Sequence, residues 1–161
     1  MTRIHFRWAR LHDMNAHELH ALLAAREAVF IVEQNCPYQD ADALDEHSWH
    51  LIGSVGGAVA AYLRVVDPGY KSVHPGAFYA EPSIGRVLTA KAFRGKGFGL
   101  ALMQEGITGC ERLFPGQGIR ISAQSYLLAF YQSFGFRAVD DEYLEDGIKH
   151  YEMFREARTS S

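Results

Sequence analysis

Cysteine, proline and long apolar runs are all scarce in this chain of 161 residues, which holds 2 cysteines and 5 prolines. Cys36 and Cys110 cannot build the disulfide framework of a small secreted domain, so free thiols of a reducing compartment are expected. No stretch approaches the roughly 18 apolar residues of a membrane span, and residues 1–8 lack the apolar core of a signal peptide. A cytoplasmic chain with no membrane partner is expected. A basic excess is also missing: 16 Lys and Arg face 19 Asp and Glu, for a net charge of −3. That balance, without a basic stripe, argues against a general nucleic-acid binder.

The 8 histidines include His17 with His20 and His47 with His50 at helix-like spacing. No cysteine or carboxylate framework accompanies them, and catalytic zinc needs three protein ligands, so no metal is expected. There is no internal repeat and no low-complexity block. GxxxxGK[ST] occurs nowhere, which excludes a P-loop. A dinucleotide fingerprint fails on spacing, and on Ile119 where an acidic residue is wanted.

What is present is an ordinary core composition, 48% hydrophobic and 22% charged, enough for one domain over residues 1–155 followed by a disordered tail, 156–161. A short strand is expected at 4–8. Asn15 with Glu18 has capping-box spacing, and Leu19, Leu22, Leu23, Arg26, Val29 and Phe30 recur at helical intervals, so a helix should run from about 16 to 30. Arg26 falls in the apolar stripe; it either pairs with a carboxylate, Glu33 being the candidate, or reaches water along its stem. Strands at 49–55 and 58–65 flank Gly56-Gly57, a hairpin link. Residues 67–83, punctuated by three prolines, read as a loop. A helix after Gly97 contains Gly106 and Gly109, which should pack closely on a neighbouring backbone. It ends at Pro115-Gly116. A strand at 119–124, a helix at 125–134 and strands at 137–143 and 150–154 complete the chain.

The stretch around which these elements arrange is 83–99. Residues 84–89 form a short β-branched run suited to a buried strand. Gly95, Gly97 and Gly99 follow, flanked by Arg94 and Lys96, and Phe98-Gly99-Leu100 leads into the next helix. Free N–H groups and the positive end of the macrodipole gather at a helix start, and glycines let a bulky anion reach them. Strand, glycine turn and helix together read as a phosphate or pyrophosphate seat.

Arg94, Gly97 and Gly99 resemble the RxxGxG signature of the GNAT superfamily of acyl-CoA N-acyltransferases. Residues 123–136, with Tyr131 four residues before Gly135-Phe136, are similar to the second block of that family, and residues 29–40 look like its ElaA-type subgroup. The resemblance implies an α/β (α+β) fold with a mixed, mostly antiparallel central sheet of six to seven strands flanked by helices, and a cofactor cleft between strands 84–89 and 119–124. It implies acetyl-CoA as co-substrate. Val87, Leu88 and Thr89 would hold the pantetheine arm, with the backbone N–H of Leu88 near the thioester oxygen. Arg94, Gly95, Lys96, Gly97, Phe98 and Gly99 would hold the pyrophosphate. Tyr131 would protonate the leaving thiolate. Gln124 stands where the family commonly has asparagine. No base is assigned; Glu33 and His50 are candidates, each also readable as structural.

Two functions stay open at this level: direct acetyl transfer to an amine on a small molecule or peptide, and a non-catalytic acyl-CoA-binding or sensor module. A homodimer is an open assembly. Ten of the 19 acidic residues lie in 32–46 and 140–146, neither of which contains lysine or arginine. Their summed field would favour a cationic acceptor.

Overall fold

The structure, a computed structural model, describes residues 3–74 and 77–158. β1 (His5–Arg10) starts one residue later than expected and runs two further. α1 (Ala16–Arg26) is capped by Asn15, whose side chain accepts from the N–H of Glu18. The Glu18 carboxylate turns to Arg7 instead, so half of the expected box forms. The expected helix to residue 30 changes character after Arg26 into a π-helical turn, Glu27–Glu33. Val29 and Phe30 are both buried there, in a cluster with Tyr62 and Leu88.

β2 (Ser48–Val55) and β3 (Ala58–Val66) form the expected hairpin. Gly56 and Gly57 have φ of 57° and 84°, the left-handed pair that a tight two-residue link demands. The long loop that follows holds β4 (Ser72–His74) and β5 (Ala77–Phe78), a small sheet of its own. β6 (Ser83–Thr89) leads to α2 (Phe98–Leu113), and β7 (Ile119–Gln124) falls where the sequence puts it. The expected helix at 125–134 opens as a 3-10 turn, Ser125–Leu127, and continues as α3 (Leu128–Gln132). The closing strands divide into β8 (Arg137–Ala138), β9 (Tyr143–Glu145) and β10 (Ile148–Arg155). Asp140, Asp141 and Glu142, poor strand formers, interrupt what the sequence suggests is one strand. The expected disordered tail is described only to Arg158; 159–161 lie outside the described residues.

The main sheet has eight strands in the order β1-β2-β3-β6-β7-β10-β8, with β9 paired to β10. Among the described residues only β6 and β7 are parallel, and α2 supplies the crossover that a parallel pair requires. The sheet buries both faces, and strand alternation sorts the side chains between them. Leu51, Leu63, Val65 and Ile84 meet Leu102, Met103 and Ile107 of α2. Ile52, Tyr62 and Leu88 meet Leu22 of α1 on the other face.

The two glycines of α2 do pack closely, against side chains rather than backbone. A Cβ on Gly109 would lie 2.1 Å from Trp8 Cζ2, whereas one on Gly106 would meet the Leu63 methyl Cδ2 at 2.8 Å. The Trp8 ring is pinned by its Nε1–H to Glu105 Oε1 at 3.0 Å. Gly109→Ala gains up to about 1 kcal/mol of helix propensity but overpacks a ring that cannot swing away, a cost near the upper end of about 1–3 kcal/mol. Urea denaturation should show net destabilisation by about 1–2 kcal/mol. Gly106→Ala, against one mobile methyl, should lose less; equal losses would mean that Trp8 is not the obstacle.

Candidate active site

The site begins with a fault in the central strand. β3 pairs Tyr62 with Leu88 but Arg64 with Gly85, so Arg86 and Val87 together oppose Leu63. This is a β-bulge, and Arg86 takes a left-handed φ of 51° within it, an uncommon conformation for a side-chain-bearing residue. Arg86 is held by its own side chain, with Nε donating to Asp40 Oδ1 at 2.8 Å and Nη2 to the Asp40 carbonyl at 3.2 Å. Bulges bend the strand that carries them. β6 pairs with β7 only at Ser83 with Arg120 and Ile84 with Ile121, and beyond that point the two strands part.

The parted strands leave backbone groups without a sheet partner on one side. The N–H of Ala90 donates to the carbonyl of Ala60 at 2.8 Å, and bonded and non-bonded pairs alternate along an antiparallel ladder. With Tyr62 opposite Leu88, that alternation turns the N–H of Leu88 into the sheet. Leu88 is therefore not the donor beside the thioester that the family resemblance suggests. The backbone groups of its neighbours Val87 and Thr89 face the opening, and the Thr89 carbonyl is already used from that side by Arg94 Nε at 3.0 Å.

Gly95 and Gly97 have φ of 78° and 80°, and Gly97 is the N-cap of α2. The N–H of Ala101 is the first to bond back, to the carbonyl of Gly97 at 3.1 Å. The N–H groups of Phe98, Gly99 and Leu100 are thus the free donors of the helix start. The Phe98 side chain is buried against Phe93, so only its backbone is available to a ligand. Lys96 is exposed beside the turn. Arg94 is otherwise engaged: Nη1 and Nη2 donate to the two Glu33 oxygens, each at 2.6 Å. Glu33 is consequently not the partner of Arg26, and the Arg94 hydrogen bond and charge hold its carboxyl below the usual range.

A cleft of about 810 Å³ runs from Arg94 and Gly99 past Val87, Leu88 and Thr89 to Gln124 and Tyr131. Tyr131 is 4% exposed, with its ring edge-on to Phe130 and Phe136. Burial pushes its hydroxyl above the ordinary tyrosine range, so it stays protonated at neutral pH. The far end of the cleft is lined by Arg86, Asp42, Ser122, His150, Glu145 and Asp146. Lys71 lines it too, and burial lowers its pKa. His50 stands apart. It is fully buried, with Nδ1 on the Tyr62 hydroxyl at 2.6 Å and Nε2 on the Asp45 carbonyl at 2.9 Å, and burial depresses its pKa.

The wall behind Asp42 is a network of three arginines and three aspartates. Arg26, fully buried, donates Nε to Asp40 Oδ2 at 2.9 Å and Nη1 to Asp45 Oδ1 at 2.8 Å. It neither reaches water nor meets Glu33. Arg64 bonds Asp42 and Asp45, and Arg86 bonds Asp40 and Asp42. The acidic run 32–46 is therefore largely paired with arginines from elsewhere in the chain: with Glu33 on Arg94, Glu46 is its one carboxylate outside these pairs among the described residues. Its field is weaker than the run of carboxylates alone suggests. Glu145 and Asp146 of the second run do line the cleft.

Cys36 and Cys110 are free thiols, and burial pushes Cys110 up to about 12. Among the described residues no three His, Cys, Asp or Glu side chains gather as metal ligands would, and no helix is long and apolar enough to cross a membrane. Ser122, His150 and Lys71 are cleft residues that sequence reasoning missed; they lie outside the motifs, and only the sheet order brings them to one place.

A mostly antiparallel sheet, parted at its one parallel pair above a glycine turn on a helix start, defines the acyl-CoA N-acyltransferase class. The chain belongs to the GNAT family: the acetyltransferase (GNAT) domain model matches residues 29–157. It is 39% identical over 155 residues to protein ElaA of Escherichia coli, covering 92% of this chain and 95% of that one. A UPF0039 protein of Synechocystis is 42% identical over 151 residues, covering 93% and 94%. Among solved structures, an acyl-CoA N-acyltransferase from Pseudomonas aeruginosa superposes with a TM-score of 0.84 at 40% identity, covering 95% of this chain and 99% of that one.

Proposed function

We propose that the chain is an acetyl-CoA-dependent N-acetyltransferase that passes the acetyl group directly to a primary amine. The observation that carries this reading is the opening between β6 and β7, with a glycine turn on a helix start at one end and a buried tyrosine on its wall. The pyrophosphate sits on the free N–H groups of Phe98, Gly99 and Leu100, assisted by Lys96. Arg94 braces the turn by gripping Glu33 and the Thr89 carbonyl. The pantetheine amides pair with the backbone of Val87 and Thr89, and the thioester oxygen lies at the Val87 N–H. The acceptor enters from the end lined by Glu145 and Asp146, whose carboxylates favour an amine that arrives as an ammonium ion. Tyr131 protonates the departing thiolate.

Thiol release from acetyl-CoA with spermidine, a lysine peptide and glucosamine tests the activity. Release with at least one of them supports the enzyme. Tight CoA binding with no release would instead support an acyl-CoA sensor.

The phosphate seat is tested separately by Gly97→Val. No atom lies within 4 Å of a Cβ added there, but φ is +80°, which a β-branched residue adopts only at a cost. The branch would also stand where the phosphate approaches. Calorimetry should show acetyl-CoA affinity reduced by tenfold or more, about 1.4 kcal/mol. Unchanged affinity in a folded variant would remove the turn from the cofactor site.

A further inference from the structure

The scheme above leaves the acceptor nitrogen without a base, since Glu33 is gripped by Arg94 and both ring nitrogens of His50 are engaged behind the wall. A chain of hydroxyl groups opens on the cleft where β7 leaves β6. Ser122 lines the cleft, and its Oγ meets the Tyr143 hydroxyl. Tyr143 donates to Glu152 Oε1 at 3.2 Å, and Glu152 Oε2 receives the hydroxyl of Tyr79.

The direction of this chain is set from its far end. The Tyr143 hydroxyl donates to Glu152, and with its single hydrogen so used it accepts from Ser122. Ser122 thus points its hydrogen away from the cleft and leaves a lone pair toward it. The three residues are fixed by strand pairing rather than by loops: Ser122 is directly opposite Glu152 in the β7–β10 ladder, and Tyr143 is opposite His150 in the β9–β10 ladder.

We propose that Ser122, Tyr143 and Glu152 form a proton relay that deprotonates the acceptor ammonium; this rests on the acetyltransferase reading. As the ammonium gives a proton to Ser122 Oγ, Ser122 passes its own to Tyr143 and Tyr143 passes its own to Glu152 Oε1. The neutral amine then attacks the thioester carbon. The C–S bond breaks as the oxyanion collapses, and sulfur takes the Tyr131 proton. The nitrogen's second proton returns to the Tyr131 oxygen, and Glu152 releases the first to solvent. The sum is ammonium and thioester giving amide, thiol and one proton.

Several ionisable groups face this chain. His150 stacks on Tyr143 with ring centroids 5.9 Å apart, and its Nε2 lies 3.5 Å from Glu145. Arg120 stands over the Tyr79 ring at 5.2 Å and pairs with Glu81. The His150 Nδ1 is held on the Ile148 carbonyl at 2.7 Å.

Tyr143→Phe cuts the relay, and Glu152→Gln keeps the carboxylate's shape while removing its proton affinity. With spermidine and the lysine peptide as acceptors, both variants should lower kcat at pH 7 by on the order of 10²-fold with unchanged acetyl-CoA affinity. At about pH 10, where an alkylamine is substantially neutral without help, the loss should largely vanish. A merely structural role would give the same loss at both values. Equal losses at both, or no loss at pH 7, would overturn the relay and leave the acetyltransferase reading intact. A wild-type chain that releases no thiol with either amine would overturn both.

Discussion

Replacing Arg26 by methionine should remove about 3–5 kcal/mol of folding free energy, the cost of breaking a buried ion pair from one side. Arg26 is fully buried and makes three hydrogen bonds, to Asp40 Oδ2, Asp45 Oδ1 and the Asp40 carbonyl. Methionine fills most of the volume, so the loss comes from charge. Three aspartates would then share two arginines, and two of those carboxylates, Asp40 and Asp45, are buried. Urea denaturation followed by circular dichroism measures it, and a loss under about 1 kcal/mol would show the network to be more solvated than its burial indicates.

The network also has a pH signature. Burial alone would raise the carboxyls of Asp42 and Asp45, but the hydrogen bonds and charges of Arg64 and Arg26 outweigh it, and both are held below the ordinary value. A depressed carboxyl contributes stability that is complete above its unfolded pKa, about 3.9, and is lost as pH falls through the folded value. In Arg26→Met the pull on Asp45 weakens to that of Arg64, so the variant has less of this stability to lose. The gap between variant and wild type should therefore narrow as pH falls below about 4.

Tyr131→Phe should lower kcat by on the order of 10²-fold with acetyl-CoA affinity unchanged, as removal of a general acid does. The substitution keeps the ring and its edge-on contacts with Phe130 and Phe136, so packing is preserved and the proton alone is lost. The raised pKa of the buried hydroxyl keeps it protonated at neutral pH. Donation to a thiolate is uphill by the difference between the two groups. Calorimetry alongside steady-state rates separates chemistry from binding. An undiminished kcat would return Tyr131 to the core.

Features that depend on consecutive residues were legible in the sequence. The glycine turn, the hairpin at Gly56-Gly57, the strand Ile119–Gln124 and the Asn15 cap are each written in a few adjacent positions. Features that depend on what lies across a ladder were not. The bulge at Arg86 appears only once β3 is beside β6, and without it a strand of correct length yields the wrong alternation. The direction of the Leu88 N–H, into the ladder with Tyr62, follows from that pairing and cannot be read from the strand alone. Charge pairing was hidden by distance along the chain. Asp40 meets Arg26 and Arg86, 14 and 46 residues away, so a run that looks strongly acidic is nearly neutral in place. The one available hint was Arg26 itself, a charge in an apolar stripe.

The parting of β6 from β7 places two kinds of amide on one strand at the centre of an eight-stranded sheet. Leu88 turns its N–H into the β3–β6 ladder and exchanges its hydrogen only when the sheet opens, whereas the N–H groups of Val87 and Thr89 turn to the side where β7 has parted and belong with edge amides. Protection along these three residues therefore alternates residue by residue, low, high, low, in a region whose side chains are largely packed. The middle of this sheet is, in hydrogen-exchange terms, also its margin.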